Sequence, residues 1–442
     1  MDILQRFWQK TIEVYYQPFL SFNVASGIDP GFVQCLSFTV PQSIIKNPVP
    51  NADYGILVEA KNDGDSGITA YSYPCAYSVT SRKPMWGILH WNINYFSFDL
   101  LSFQMNIKIG IHESTHLLGF SSILYSNFLA GKVVTTPQGS FINGSFIQKA
   151  IRDQYGCQGA PGMLLESGGG QGTAMSHWSY KAAYNEFMTA GVLISNPTIS
   201  FLTLALLEET GWYKTVRKTY GQFINWGFRK GCSILEPSNC SSNEYCTREA
   251  EKVCDYDQTS LGYCKNESLT NCLFVKFYTN YMCSDPNFAT KSLNKLVVGA
   301  TGEEGGQFSR CFSSSLVLQG EPQTKYQFRC YSTVCSLSGK TLTVKVGSKY
   351  ALCLFPGQNI TVPGYSGYLL CPDSFQRACS VKRCPEECNG NGVCLNGKCL
   401  CSSSYSGEAC GQVTSVGFAS RDTQSIFFAR NNGNCAFGSY LG

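Results

Sequence analysis

The chain has only four histidines, and two of them stand one helical turn apart. Residues 110–120 read GIHESTHLLGF, so His112 and His116 project from one face of any helix formed there and can grip a single metal ion. Zinc suits such a pair, because a catalytic zinc site takes three protein ligands and leaves a fourth position to water. Glu113 lies about 100° around the helix from His112. From there its carboxylate can accept the proton of that water as it attacks a carbonyl, then return the proton to a leaving amine. That chemistry is metal-assisted amide hydrolysis. With so few histidines, an accidental His-Glu-x-x-His is expected on the order of once in a thousand such compositions. The competing interpretation is a solvated helix carrying two surface histidines.

A third ligand must come from elsewhere. The compact motif that would supply it three residues after Gly119 is broken, because Ser122 stands there. His90 and His177 remain. His90, in Leu89-His90-Trp91, sits in a strand-like run and follows no ligand pattern. His177 lies in AMSHWSYKAAYNEFMTAG, where Met188 follows 11 residues later.

The elements that must position these side chains follow from local pattern. Residues 100–120 read as a helix, with Ile107, Ile111 and Leu118 on the buried side and Gly119 near its end. Ahead of it, the β-rich runs 54–59 and 69–73 flank polar residues 61–67 and predict a small twisted sheet. Asp2, Arg6, Lys10 and Glu13 fall at helical spacing within residues 1–26, predicting an amphipathic first helix. Residues 198–210 predict another, closed by Gly211. Gly168, Gly169, Gly170 and Gly172 lack a following Lys-Ser/Thr, which disfavours a phosphate cradle.

Length and cysteine placement divide the chain. Its 442 residues exceed the roughly 250 to 300 that one hydrophobic core holds. Of 23 cysteines, only Cys35, Cys75 and Cys157 precede residue 221, and the other 20 fall between Cys232 and Cys435. This predicts a conventionally cored first half, a boundary near residue 220 and a second half dependent on disulfides. Cys384, Cys388, Cys394, Cys399, Cys401 and Cys410, with glycines at turn positions, resemble an epidermal-growth-factor-like module, too short to hold together without its bridges. Cys435 leaves an odd total.

The net charge is +4 and basic residues run no longer than pairs, so no nucleic-acid partner is expected. No apolar stretch approaches the ~18 residues that span a bilayer. Sequons at Asn143, Asn239, Asn266 and Asn359 fit a secreted surface. Residues 1–26 have no signal-peptide core, so a secretory signal is expected upstream of them, and the location is extracellular or at the cell surface.

A helix motif ending in Gly-Phe, a Ser-His-Trp about 60 residues further on, and a methionine turn leading into a helix that ends Glu-Glu-Thr-Gly-Trp-Tyr together resemble the leishmanolysin family of metzincin peptidases. The resemblance is close over residues 1–215 and looser to about residue 380. It implies His112, His116 and His177 as ligands of one zinc ion, Glu113 as general base, and Met188 as the apolar floor under the metal. It further implies an α/β (α+β) metzincin-type catalytic domain, with a twisted sheet and active-site helix, followed by a disulfide-rich C-terminal region. The expected divisions are 1–120 with the active-site helix, 121–220 with the third ligand and methionine turn, 221–380 rich in cysteine, 381–411 as the growth-factor-like module, and a tail over 412–442. The implied activity is zinc-dependent endopeptidase on protein or peptide substrates. The rival class is a secreted or surface adhesion protein whose zinc site is catalytically silent.

Overall fold

The computed structural model describes residues 1–414 except 16–18, 21–33, 36–37, 41–44, 51, 79, 97–99, 171, 191–196, 237–239, 241–243, 267–271, 288–297, 323–326, 381 and 383, and it adds the strand Ile426–Arg430. The sheet ahead of the active-site helix has four strands. β1 (Tyr54–Lys61) and β3 (Pro84–Asn92) are parallel neighbours. β2 (Ala70–Tyr77) lies antiparallel on β3 as one edge, and the strand Ile426–Arg430 runs parallel to β1 at the other. Every residue of β3 is buried, which is why its run MWGILHW reads as continuously apolar instead of alternating.

α1 (Asp2–Thr11) is shorter than the charge spacing predicts. Ile12 turns to extended backbone, and Glu13 joins a short ladder with Thr215. There Glu13 pairs with Lys214 at 2.7 Å and Arg217 at 2.9 Å, so its charge serves cross-chain contacts and not a helix face. α2 (Leu100–Leu118) carries the motif and packs against α1, β2 and β3. The Trp8 indole donates to Ser114 Oγ at 2.7 Å, Tyr54 OH to the Leu117 carbonyl at 3.2 Å, and Tyr213 OH to the Leu118 carbonyl at 2.5 Å. α2 stops before Gly119, where a β-carbon would stand 3.0 Å from Thr210 Cγ2 and 3.3 Å from Leu207 Cδ2. Glycine thus permits the close approach to α3 (Phe201–Glu209), which Gly211 closes in left-handed geometry.

Packing does not stop near residue 220. Ile224, Trp226, Leu235, Tyr245, Tyr256 and Phe274 are buried in the same cluster as Trp178 and Met188, and the Cys157–Cys232 bridge spans the expected boundary. The change of composition marks where disulfides begin to reinforce the chain, not where the core ends. A second core follows on a six-stranded sheet. Its strands are β4 (Ser309–Ser314), β5 (Gln327–Cys335), β6 (Leu342–Val346), β7 (Lys349–Cys353), β8 (Asn359–Ile360) and β9 (Leu369–Leu370), in the order β7-β6-β5-β4-β9-β8. Every cysteine from Cys232 to Cys410 is disulfide-bonded, whereas Cys435 lies outside the described residues.

The small terminal module pairs Cys384–Cys394, Cys388–Cys399 and Cys401–Cys410. Its hairpin, β10 (Gly392–Leu395) and β11 (Lys398–Cys401), turns Val393, Leu395 and Leu400 into the main core. Gln104 of α2 meets the hairpin with both ends of its amide: Nε2 donates to the Gly392 carbonyl at 2.7 Å and Oε1 accepts from the Cys394 amide at 2.8 Å. Asp2 accepts from the Ser403 amide at 2.6 Å. The module is therefore part of the wall behind the active-site helix. Leu400→Ala is expected to destabilise the protein by about 2–5 kcal/mol, the usual range for emptying a buried leucine site. All six tryptophans precede residue 227, so a urea transition followed by tryptophan fluorescence should shift. An unchanged transition would mean that the module folds independently.

Candidate metal centre

His112, His116 and His177 come together, and His90 lies apart from them. His112 Nε2 stands 3.1 Å from His116 Nε2 and 3.2 Å from His177 Nε2. Each ring turns its other nitrogen to a main-chain carbonyl: His112 Nδ1 to Phe187 at 2.5 Å, His116 Nδ1 to Phe120 at 2.6 Å, and His177 Nδ1 to Thr173 at 2.9 Å. A carbonyl only accepts, so all three Nδ1 atoms carry hydrogen, and three Nε2 lone pairs face one another with no proton between them. Such a set calls for a cation. Two nitrogens at ~2.0–2.1 Å from one tetrahedral zinc stand about 3.3 Å apart, close to the separations here. The residues present fit the metal.

The longer reach to His177 is built by the loop before it. Glu166 is buried, and its carboxylate accepts from the amides of Ser167, Gly168 and Tyr180 at 2.9, 3.0 and 3.1 Å. Its own amide donates to the His177 carbonyl at 2.9 Å. The next residue, Trp178, donates its amide to the Met188 carbonyl at 3.0 Å and its indole to Thr203 at 2.8 Å. The glycine cluster thus opens the loop that delivers His177. Met188 is fully buried, one residue beyond the carbonyl that receives His112.

Burial sets the protonation states. It pushes His112 down to about 4 and His177 down to about 3, and it holds His116 well below the usual histidine range, with the neighbouring imidazoles adding to the effect. All three are neutral at pH 7, the form that binds metal. Glu113 is also buried, and desolvation pushes its carboxyl up to about 7, with the Ser72 hydroxyl pulling the other way. That hydroxyl, on β2, also donates to the Glu113 carbonyl at 2.7 Å. A carboxyl poised near neutrality suits a general base.

His90 is occupied on both sides. Its Nδ1 stands 2.7 Å from Glu59 and its Nε2 2.6 Å from Asp63, with Tyr71 stacked on the ring at 4.5 Å. It is the buried structural histidine its sequence context indicates, and it has no free nitrogen for a metal.

Sequence reasoning gave no role to Glu186, Asp257 or the three carbonyls. Backbone acceptors leave no residue-type signal. Glu186, however, sits inside the methionine turn, and an acid among apolar residues was a usable hint. Its carboxylate accepts from the Met188 amide at 2.5 Å, Ser200 Oγ at 2.8 Å and Thr203 Oγ1 at 2.6 Å, tying the turn to α3. Asp257, from the cysteine-rich half, accepts from Asn185 at 2.8 Å and Asn225 at 3.1 Å and so braces the turn from behind. Burial first, then the charge of Asp255, pushes Asp257 up to about 6. A carboxyl raised on folding binds more protons folded than unfolded between its two pKa values, so its contribution to stability falls as pH rises through that window. Relative to Asp257→Asn, the parent should lose up to about 3 kcal/mol between pH 4 and pH 7. Urea unfolding at both pH values measures it, and a constant difference between the proteins would contradict this assignment.

Three converging neutral imidazoles, with a buried glutamate next in sequence to the first of them on the same helix, form the type of centre used by zinc metallopeptidases. The sequence profile of the leishmanolysin family matches residues 24–273 and 265–383, and the chain belongs to that family. A teneurin-like EGF domain profile matches residues 384–413. Among the similar proteins is the ciliated left-right organizer metallopeptidase of Xenopus laevis, 27% identical over 360 residues that cover 75% of this chain and 48% of the relative. A leishmanolysin homolog of Crithidia fasciculata is 24% identical over 379 residues, 76% of this chain and 57% of the relative. The leishmanolysin of Leishmania chagasi is 24% identical over 385 residues, 76% and 62% respectively. The chain thus spans about half to three-fifths of the length of these relatives.

Proposed function

We propose that the protein is a zinc-dependent endopeptidase with His112, His116 and His177 as the metal ligands and Glu113 as the general base. The observation that carries this reading is the convergence of three Nε2 lone pairs, each ring fixed by a carbonyl on its far side. Zinc held there would supply a Lewis acid that makes water nucleophilic at neutral pH and polarises the scissile carbonyl. Glu113 takes the proton released as water attacks and delivers it to the departing amine. Met188, buried behind the Phe187 carbonyl, fills the floor of the site. β2 is the antiparallel edge of its sheet and is tied to Glu113 through Ser72, which supports an extended substrate adding as a further strand along it. The pervasive disulfides and the growth-factor-like module support an extracellular or cell-surface location, and among the described residues no helix is long and apolar enough to cross a membrane. The adhesion reading is weakened because the module turns one face into the catalytic core. Metal content gives the test. Dialysis against a chelator should remove one zinc per chain and peptide cleavage together, and stoichiometric zinc should restore both. Full cleavage by metal-free protein would refute the proposal.

A further inference from the structure

Two of the three converging histidines are anchored on the methionine turn. His112 Nδ1 donates to the Phe187 carbonyl at 2.5 Å, and Trp178, next in sequence to His177, donates its amide to the Met188 carbonyl at 3.0 Å. The Phe187 carbonyl and the Met188 amide belong to one planar peptide, so whatever fixes one end fixes the other. Glu186 fixes the amide end, its carboxylate accepting from Met188 at 2.5 Å. Its second oxygen accepts from Ser200 Oγ at 2.8 Å and Thr203 Oγ1 at 2.6 Å, and Thr203 Oγ1 accepts in turn from the Trp178 indole at 2.8 Å. The bonds close a ring through Glu186, Met188, Trp178 and Thr203, with His112 attached on one side and His177 on the other.

A carboxylate is a costly brace in this position. Glu186 is fully buried, its partners here are an amide and two hydroxyls, and burial pushes its carboxyl up to about 7. A neutral acceptor would brace the turn without the desolvation of a charge. The donor set explains what the charge can do. Three neutral imidazoles bring no negative charge to a dication, and a carboxylate on the far side of a hydrogen-bonded peptide supplies some. A charged acceptor on the N–H also polarises the peptide, so its carbonyl accepts the His112 proton more strongly and the ring becomes a more basic ligand. In the usual arrangement a carboxylate meets the ligand ring directly. Here the Phe187–Met188 peptide stands between them.

We infer that Glu186 is a positioning residue of the metal centre: through the Phe187–Met188 peptide it fixes and polarises the carbonyl that orients His112, and through Thr203 and Trp178 it holds the approach of His177. The inference rests on the proposed zinc site, since it needs both histidines as ligands. The test compares the parent with Glu186→Gln and Ser200→Ala. Zinc affinity is read by competition with a chromophoric chelator, ligand geometry by the visible absorption of the cobalt-substituted proteins, and stability by urea unfolding. Ser200 Oγ caps α3, accepting from the Leu202 and Thr203 amides at 3.1 and 3.3 Å, so Ser200→Ala loosens the fold and one Glu186 contact but leaves the Met188 contact in place. Glu186→Gln should bind zinc roughly ten-fold or more weakly, with altered cobalt bands, as for loss of an outer-shell partner. Ser200→Ala should unfold at lower urea yet keep zinc affinity within about three-fold and the parental cobalt bands. Should Glu186→Gln fail to fold, Thr203→Val, which removes the hydroxyl shared by Glu186 and Trp178, takes its place, with a loss of about five-fold or more expected. Parental affinity in the folded Glu186 or Thr203 variant, or an equal loss in Ser200→Ala, would overturn the inference and leave Glu186 as a brace of the fold alone. A parent that binds no zinc would overturn the ligand assignment, and this inference with it.

Discussion

Replacing Glu113 with glutamine should lower kcat/KM for peptide cleavage by about 10²- to 10⁴-fold while leaving zinc stoichiometry unchanged, the range expected when a positioned general base is removed. Glutamine keeps the size and a hydrogen-bonding oxygen but cannot take a proton. Glu113 is not among the convergent nitrogens, so the three-histidine set stays intact. Because burial brings its carboxyl up to about 7, the variant also removes a buried ionisable group, and its stability should not fall below that of the parent at neutral pH. Loss of zinc along with activity would mean that Glu113 helps hold the metal instead of moving a proton.

His177→Ala should act in the opposite order, with metal lost first and activity following. Removing an outer-shell partner of a metal ligand costs roughly 10- to 100-fold in affinity, and removing one of three ligands should cost more than that. Competition with a fluorescent zinc chelator measures it. The contrast is His90→Gln, which disturbs the Glu59 and Asp63 contacts and should leave zinc affinity within about two-fold of the parent, since both nitrogens of His90 are occupied elsewhere. Equal loss of zinc in the two variants would show that His177 acts on the fold and not as a ligand.

The difference between these two residues also describes how much the sequence revealed. His112, Glu113 and His116 are legible because a helix converts i, i+4 spacing directly into shared direction. His177 stands 61 residues beyond His116, and its approach depends on Glu166, Thr173 and the Trp178–Met188 contact, which spacing does not encode. Family resemblance supplied it. Strands β1 and β2 and helices α2 and α3 were legible from period and from glycine stops, with ends moved by a few residues, and β3 only as a strand-like run around His90. Glu13 misled because an ion pair with Lys214 and Arg217 looks, in sequence, like the polar face of a longer helix. The module's docking was illegible because a short chain held by three disulfides gives no sign in its sequence that Val393, Leu395 and Leu400 enter another core. The rise in cysteine content after residue 220, from which a boundary is expected, also hides the aromatic packing of Trp226 and Phe274 against Tyr184.

The most direct test of the central claim is cleavage of a mixed quenched-peptide library by the oxidatively folded parent beside Glu113→Gln, with zinc measured in both preparations. The account predicts one zinc per chain in each, cleavage by the parent at defined sites, and cleavage by the variant reduced at least 10²-fold. A folded, zinc-loaded parent that cleaves nothing in the library would contradict it and favour the adhesion reading.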